Sequence, residues 1–140
     1  MSRAERAKEY FLQGYACSQA VALAFCDVTG VNEEMICKMM LPFGGGLGRL
    51  RLTCGAVSGM AAVIGTVFAD AENTPENKKN TYAIVQELCG KFREETGSIS
   101  SNAPQRMISA KVSAMIWVGL SFSFPFILLF FDTAYHPLIH

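Results

Sequence analysis

The chain has 140 residues, 51% of them hydrophobic, so it is long enough for one domain with a sizeable core. Its formal net charge is zero, from 12 basic and 12 acidic side chains, which argues against nucleic acid as a partner. The five cysteines are an odd number and include no Cys-x-x-Cys motif, so we expect no disulfide framework. With a charged N-terminus that lacks an apolar signal segment, these thiols predict a reducing, cytoplasmic location.

The first 100 residues carry helix signals and few alternating strand patterns, which predicts an all-α bundle of about four principal helices. Ser2 can cap a helix that begins at Arg3. We expect this helix to continue to about Asp27 and to be kinked or divided at Gly14. Asn32 is placed to cap a short second helix that has acidic residues in its first turn.

Two further helices follow a glycine-rich loop. The third is expected to begin at Cys54, because apolar residues recur at helical spacing after it. Thr74 followed by Pro75 is a strong start for the fourth, since a capping hydroxyl precedes proline at the first helical position. Gly97 is suited to end that helix.

The last 40 residues differ from the rest. Residues 112–131 are 20 consecutive uncharged residues, and a helix of that length spans a hydrocarbon core of about 30 Å. We therefore divide the chain into a helical domain, 1–100, and an atypical apolar tail, 101–140. Residues 112–131 form a membrane segment in one interpretation and a buried helix or hairpin, closing the core, in the other.

Cys54 is the first candidate functional residue. A flexible loop delivers Arg49 and Arg51 just before it, and a small-residue helix follows it. Positive charge and the unpaired N–H groups at a helix start both favour the thiolate, the form that attacks disulfides or binds metals. We therefore predict a lowered pKa for Cys54.

The positions of the other four cysteines indicate different roles. Cys17 shares a small, apolar face with the third helix, so we expect it to approach Cys54. Cys26 and Cys89 lie on apolar helical faces, where cysteine acts as a small hydrophobe. For Cys37, beside a lysine on a short helix, the sequence leaves packing and metal ligation open.

Four segments now form a recognisable set, in order and in spacing: Gly14-Tyr15-Ala16-Cys17-Ser18-Gln19-Ala20, Phe43-Gly44-Gly45-Gly46-Leu47-Gly48-Arg49, Cys54-Gly55-Ala56-Val57-Ser58-Gly59 and the Phe92…Gly97-Ser98 helix end. Together they resemble the family named for its C_GCAxxG_C_C cysteine pattern. The resemblance covers about the first 100 residues. It implies a small, helical, bacterial or archaeal protein that cycles thiols or binds a metal or iron–sulfur centre.

The resemblance also assigns site residues. It implies that Cys17 and Cys54 are catalytic thiols and two of the four family cysteines. With Cys37 added because of its position on the short helix, the candidate metal ligands are Cys17, Cys54 and Cys37. The loop residues that would contact a cofactor are Gly44, Gly45, Gly46, Gly48 and Arg49.

The family pattern breaks off after Gly97. Its third cysteine would follow there, where this chain has Ser100 and Ser101, and the C-terminal region holds no fourth. Real divergence and a reading-frame change near residue 100 are both open explanations. Because two ligands are missing, we expect this chain to hold a metal centre poorly.

Two functions remain. The first is a redox-active or metal-binding accessory protein that acts through cysteine thiols with an unknown redox partner. The alternative is a non-catalytic helical interaction module, tail-anchored in a membrane through residues 112–131. The sequence leaves enzymatic activity undecided and permits a homo-oligomer.

Overall fold

The computed structural model describes residues 2–101, which form six α-helices and a short 3₁₀ turn. In chain order these are α1 (Arg3–Leu12), α2 (Cys17–Leu23), α3 (Cys26–Thr29), α4 (Glu33–Met40), the 3₁₀ turn (Leu41–Phe43), α5 (Gly55–Phe68) and α6 (Pro75–Thr96). Within residues 2–101 there is no strand, only an isolated antiparallel bridge between Thr53 and Ser100. The all-α prediction is confirmed.

The first predicted helix is divided into three short ones. Ser2 accepts the Glu5 N–H and the Glu5 carboxylate accepts the Ser2 N–H, so α1 begins with a capping box. Gly14 has φ +98°, a value that ends a right-handed helix, and the chain restarts as α2 at Cys17. A second break at Phe25 separates α3, which ends at Gly30 with φ +70°.

The other predicted helix ends are confirmed. The Asn32 side chain accepts the Met35 N–H at 2.8 Å at the start of α4. Thr74 caps α6 through the Asn77 N–H at 3.2 Å, and Gly97 ends that helix with φ +82°. Each cap satisfies backbone groups that the helix itself leaves unpaired.

Helix α2 lies at the centre of the fold and packs against α1, α4 and α5. Its contact with α5 is close because Gly59 has no side chain there. A Cβ at Gly59 would lie 2.8 Å from the Ser18 carbonyl oxygen and 3.2 Å from the Val21 Cβ. The two helices therefore cross nearly backbone to backbone, which places their first residues side by side.

The remaining predictions concern the tail and the membrane. No helix within residues 2–101 combines the length and the hydropathy needed to cross a membrane. The segment 112–131 lies outside the described residues. The two histidines of the chain, His136 and His140, also lie outside them. The division into 1–100 and 101–140 stays a prediction.

Candidate thiol site

Two cysteines meet where α2 and α5 begin. Cys17 is the first residue of α2, and Cys54 is the cap residue that precedes α5. The side chain of Cys54 hydrogen-bonds the sulfur of Cys17. Neither cysteine forms a disulfide. The approach of Cys17 to Cys54 that the sequence predicted is therefore present.

Gly55 makes this approach possible. A Cβ on Gly55 would lie well under 3.0 Å from the Cys17 sulfur and 2.9 Å from the Phe43 carbonyl oxygen. Cβ atoms essentially never come so close to a non-bonded sulfur or oxygen atom. The glycine that follows Cys54 thus provides the space that the Cys17 sulfur occupies.

Hydrogen bonds lower the pKa of Cys17 from its ordinary value of 9.0 to about 6. The largest cause is the hydrogen bond from the Cys54 side chain, and burial opposes it because a charge is costly away from water. Backbone N–H groups of Gly45, Ser18 and Cys17 itself add to the lowering. These donors favour the charged sulfur, so Cys17 is largely a thiolate at neutral pH.

The sequence assigned the lowered pKa to Cys54 and to the charges of Arg49 and Arg51. That assignment stays a prediction. The structure lowers the pKa of Cys17, and the causes are hydrogen bonds rather than either guanidinium. The reason is that the helix crossing brings a second thiol and a loop N–H to one sulfur. Neither of these contacts is visible as a sequence spacing.

The glycine loop holds one of these donors in place. Its backbone runs through successive left-handed residues with φ between +57° and +75°: Gly45, Gly46, Leu47, Gly48 and Arg49. Several backbone hydrogen bonds close the turn, among them those from Arg49 N–H to the Gly44 oxygen at 3.1 Å and from Arg51 N–H to the Gly45 oxygen at 3.2 Å. The loop is thereby fixed in the form that directs the Gly45 N–H at the Cys17 sulfur.

The other loop glycines serve close packing. A Cβ on Gly44 would lie 2.8 Å from the Ala16 Cβ, and one on Gly46 would lie 2.6 Å from the Ser101 Cβ. Gly48 has φ +57°, which favours glycine. A cofactor contact by these residues and by Arg49 stays a prediction.

The two thiols differ in exposure. Cys54 is 6% exposed, and its N–H donates to the Ile99 oxygen at 2.8 Å, so residues 99–101 lie beside it. Cys17 is partly exposed. Within residues 2–101, Cys17 is therefore the more accessible of the two thiols.

The other three cysteines do not form a metal site together with Cys17 and Cys54 within residues 2–101. Burial raises the pKa of Cys26 and of Cys89, which favours the unreactive thiol. Cys37 packs beside a second apolar cluster that includes Ile36 and Met40. Within residues 2–101 no group of three or more cysteine, histidine or acidic side chains is placed to hold a metal ion, so Cys37 does not join the pair in such a group.

Two buried polar residues that support the site were not assigned this role from the sequence. Ser18, fully buried, donates its hydroxyl to the Met40 oxygen at 2.6 Å. Gln19 accepts the Ala16 N–H at 2.9 Å and donates to the Cys37 oxygen at 2.8 Å. Both tie the start of α2 to α4. The signal that could have revealed them is two adjacent polar residues following a cysteine within an apolar helix.

Comparison with known proteins finds a family that the chain matches. Residues 15–109 match the model of the family described as "Putative redox-active protein (C_GCAxxG_C_C)". The matched range contains both thiols, the glycine loop and all of α4 to α6. No curated protein and no solved structure is significantly similar to the chain.

Proposed function

The chain belongs to the C_GCAxxG_C_C family, whose description is of redox-active proteins, and from this premise we propose that it is a thiol–disulfide redox protein. Cys17 is its attacking thiolate and Cys54 its resolving thiol. The observation that carries the proposal is the hydrogen bond from Cys54 to a Cys17 sulfur whose pKa is lowered to about 6. A thiol with a pKa near the ambient pH combines a high thiolate fraction with good nucleophilicity.

The reaction follows from the order in which a disulfide meets the thiols. The Cys17 thiolate attacks one sulfur of an incoming disulfide, forms a mixed disulfide and releases the other sulfur as a thiolate. Cys54 gives its proton to a departing thiolate and attacks the Cys17 sulfur. The protein then holds a Cys17–Cys54 disulfide, and the substrate has become one thiol, which carries the Cys54 proton, and one thiolate, which takes a proton from solvent. Two electrons have passed from the protein to the substrate, and the reverse sequence regenerates the dithiol.

A metal or iron–sulfur centre does not fit the described residues. A tetrahedral zinc or a cuboidal cluster is normally bound by four protein ligands, whereas this site offers two sulfurs. Ser100 and Ser101, which stand where the family pattern places its third cysteine, provide only neutral oxygens. Disulfide exchange needs two sulfurs, so it is the chemistry that the described site can complete.

The test is to identify the disulfide formed on mild oxidation. Reduced protein is treated with diamide, a two-electron thiol oxidant, quenched with acid and mapped by mass spectrometry. We expect one intramolecular bond, between Cys17 and Cys54, and alkylatable thiols at the three other cysteines. With a small-molecule disulfide, C54S should accumulate a stable mixed disulfide at Cys17, because the resolving thiol is absent.

C89S is the matched control, since Cys89 is partly buried and has a raised pKa. It should form the Cys17–Cys54 bond at the rate of the unmodified protein. Preferential oxidation of Cys26, Cys37 or Cys89 would contradict the proposal.

A further inference from the structure

The thiol site carries an unusual charge pattern. Three segments surround it: residues 10–26 around α2, residues 39–69 from the loop through α5, and residues 97–101 beside Cys54. Among all their side chains only Arg49 and Arg51 are charged. Both arginines are exposed, and neither forms an ion pair with a residue in 2–101. The charged side chains that these three segments bring to the site are therefore both positive.

The loop that carries these arginines also contacts the reactive sulfur through its backbone. A Cβ on Gly45 would lie 2.8 Å from the Arg49 Cγ, so the Arg49 stem packs over the residue whose N–H bonds Cys17. Arg51 donates its N–H to the oxygen of the same glycine.

Both arginines hold left-handed backbone, with φ +66° and +61°. That conformation is unfavourable for a residue with a Cβ. Strain of this kind persists where the surrounding structure imposes it, commonly at functional sites.

The thiols are recessed. Cys54 is 6% exposed and Cys17 only partly exposed, with the loop on one side and α5 on the other. A slender disulfide can reach such a sulfur more easily than a disulfide within a folded protein.

We propose that the substrate of the thiol pair is a low-molecular-weight disulfide that carries carboxylates, held by Arg49 and Arg51 while Cys17 attacks it. This inference rests on the proposed function and names its substrate class. Guanidinium groups bind carboxylates through paired hydrogen bonds, and exposed positive charge also speeds the approach of an anion. Oxidation of the pair consumes one such disulfide and releases two carboxylate-bearing thiols.

The experiment compares three symmetric disulfides of different charge: glutathione disulfide, which is anionic, 2-hydroxyethyl disulfide, which is neutral, and cystamine, which is cationic. The rate at which each oxidises the reduced protein is divided by its rate with 2-mercaptoethanol, to remove intrinsic reactivity. We expect the normalised rate to be highest for glutathione disulfide and lowest for cystamine. Added sodium chloride should slow the reaction with glutathione disulfide, because salt screens exposed charges. It should leave the rate with the neutral 2-hydroxyethyl disulfide unchanged.

Variants of the loop test the assignment. R49Q/R51Q should lower the rate with glutathione disulfide, relative to that with 2-hydroxyethyl disulfide, by about three- to tenfold, the size expected of two exposed charge contacts. R49K/R51K keeps both charges and should restore most of the preference. K38Q is the control, since Lys38 is exposed on α4 and paired with Glu34 outside the three segments.

The outcomes separate this inference from the function on which it rests. Equal normalised rates for the three disulfides, or a preference that survives R49Q/R51Q, overturn the substrate class and leave the thiol chemistry intact. No reaction with any of the three overturns both. Because the salt dependence is measured on the unmodified protein, the inference stays testable even if R49Q/R51Q folds poorly.

Discussion

The Cys54 side chain hydrogen-bonds the sulfur of Cys17, which joins the start of α5 to the start of α2. This contact is the largest cause of the lowered pKa of Cys17. Two consequences follow, one for reactivity and one for stability, and each can be measured on the reduced protein.

Removal of the Cys54 thiol should make Cys17 less acidic. In C54A the sulfur loses its main donor and keeps only backbone N–H groups, so its pKa should rise from about 6 toward the ordinary value of 9.0. The rate of iodoacetamide alkylation at Cys17, followed against pH by peptide mapping, reports this midpoint.

In the same experiment C54S should lie between C54A and the unmodified protein, because a hydroxyl can also donate. C89A provides the control and should leave the midpoint at about 6. A midpoint that C54A does not move would mean that the Cys54 contact contributes little.

The same pKa makes folding depend on pH. Between about pH 6 and pH 9 the folded state holds Cys17 as a thiolate, whereas the unfolded chain still holds its proton. The contribution of Cys17 to the free energy of unfolding therefore increases with pH through this window. It is lost again as the pH falls through about 6. Urea unfolding of reduced protein at several pH values should show this rise.

C17S provides the matched comparison for this measurement. Between about pH 6 and pH 9 its free energy of unfolding should rise less than that of the unmodified protein, because serine does not titrate in this range. A parallel pH dependence in the two proteins would contradict the lowered pKa.

Gly55 should tolerate no side chain. In G55A the new Cβ would overlap the Cys17 sulfur and approach the Phe43 oxygen, so the starts of α2 and α5 must move apart. Overpacking of this kind typically costs about 1–3 kcal/mol. We expect a lower free energy of unfolding, measured in urea, and a weaker Cys17–Cys54 contact that raises the pKa of Cys17.

Gly65 offers the control on the same helix. A Cβ there meets nothing within 4 Å. G65A should therefore be neutral or stabilise by up to about 1 kcal/mol, since alanine favours helix. Equal effects of the two substitutions would argue that helix propensity, rather than the contact with Cys17, decides the outcome.

Metal binding should be weak. The described site offers two sulfurs, and affinity depends steeply on the number of thiolates. Zinc added to reduced protein should be withdrawn by a chromophoric chelator under conditions that leave a four-cysteine site loaded. S101C would add a third sulfur beside Gly46 and should raise zinc affinity without completing a four-thiolate site.

A stoichiometric iron–sulfur cluster in the unmodified protein would contradict this expectation. It would mean that other cysteines or the terminal histidines complete a site. Iron and sulfide analysis of anaerobically purified protein decides the question.

Several helix starts and ends could be predicted from the sequence, because they depend on the chemistry of neighbouring residues. Ser2, Asn32 and Thr74 begin helices because each side chain can accept an N–H that the first turn leaves free, a requirement met within a few residues. Gly14 and Gly97 end helices because their backbone enters the left-handed region. The second break, at Phe25, carried no such signal and was missed.

The sequence by itself also predicted which two cysteines pair, through the motif segments around Cys17 and Cys54. Only the tertiary structure showed that the pKa of Cys17 is lowered. That lowering depends on the crossing of α2 and α5, which surrounds the Cys17 sulfur with the Cys54 thiol and the Gly45 N–H. These donors come from positions 28 and 37 residues away in the chain. Contacts over such separations arise from packing, whereas caps and turns arise from neighbouring residues.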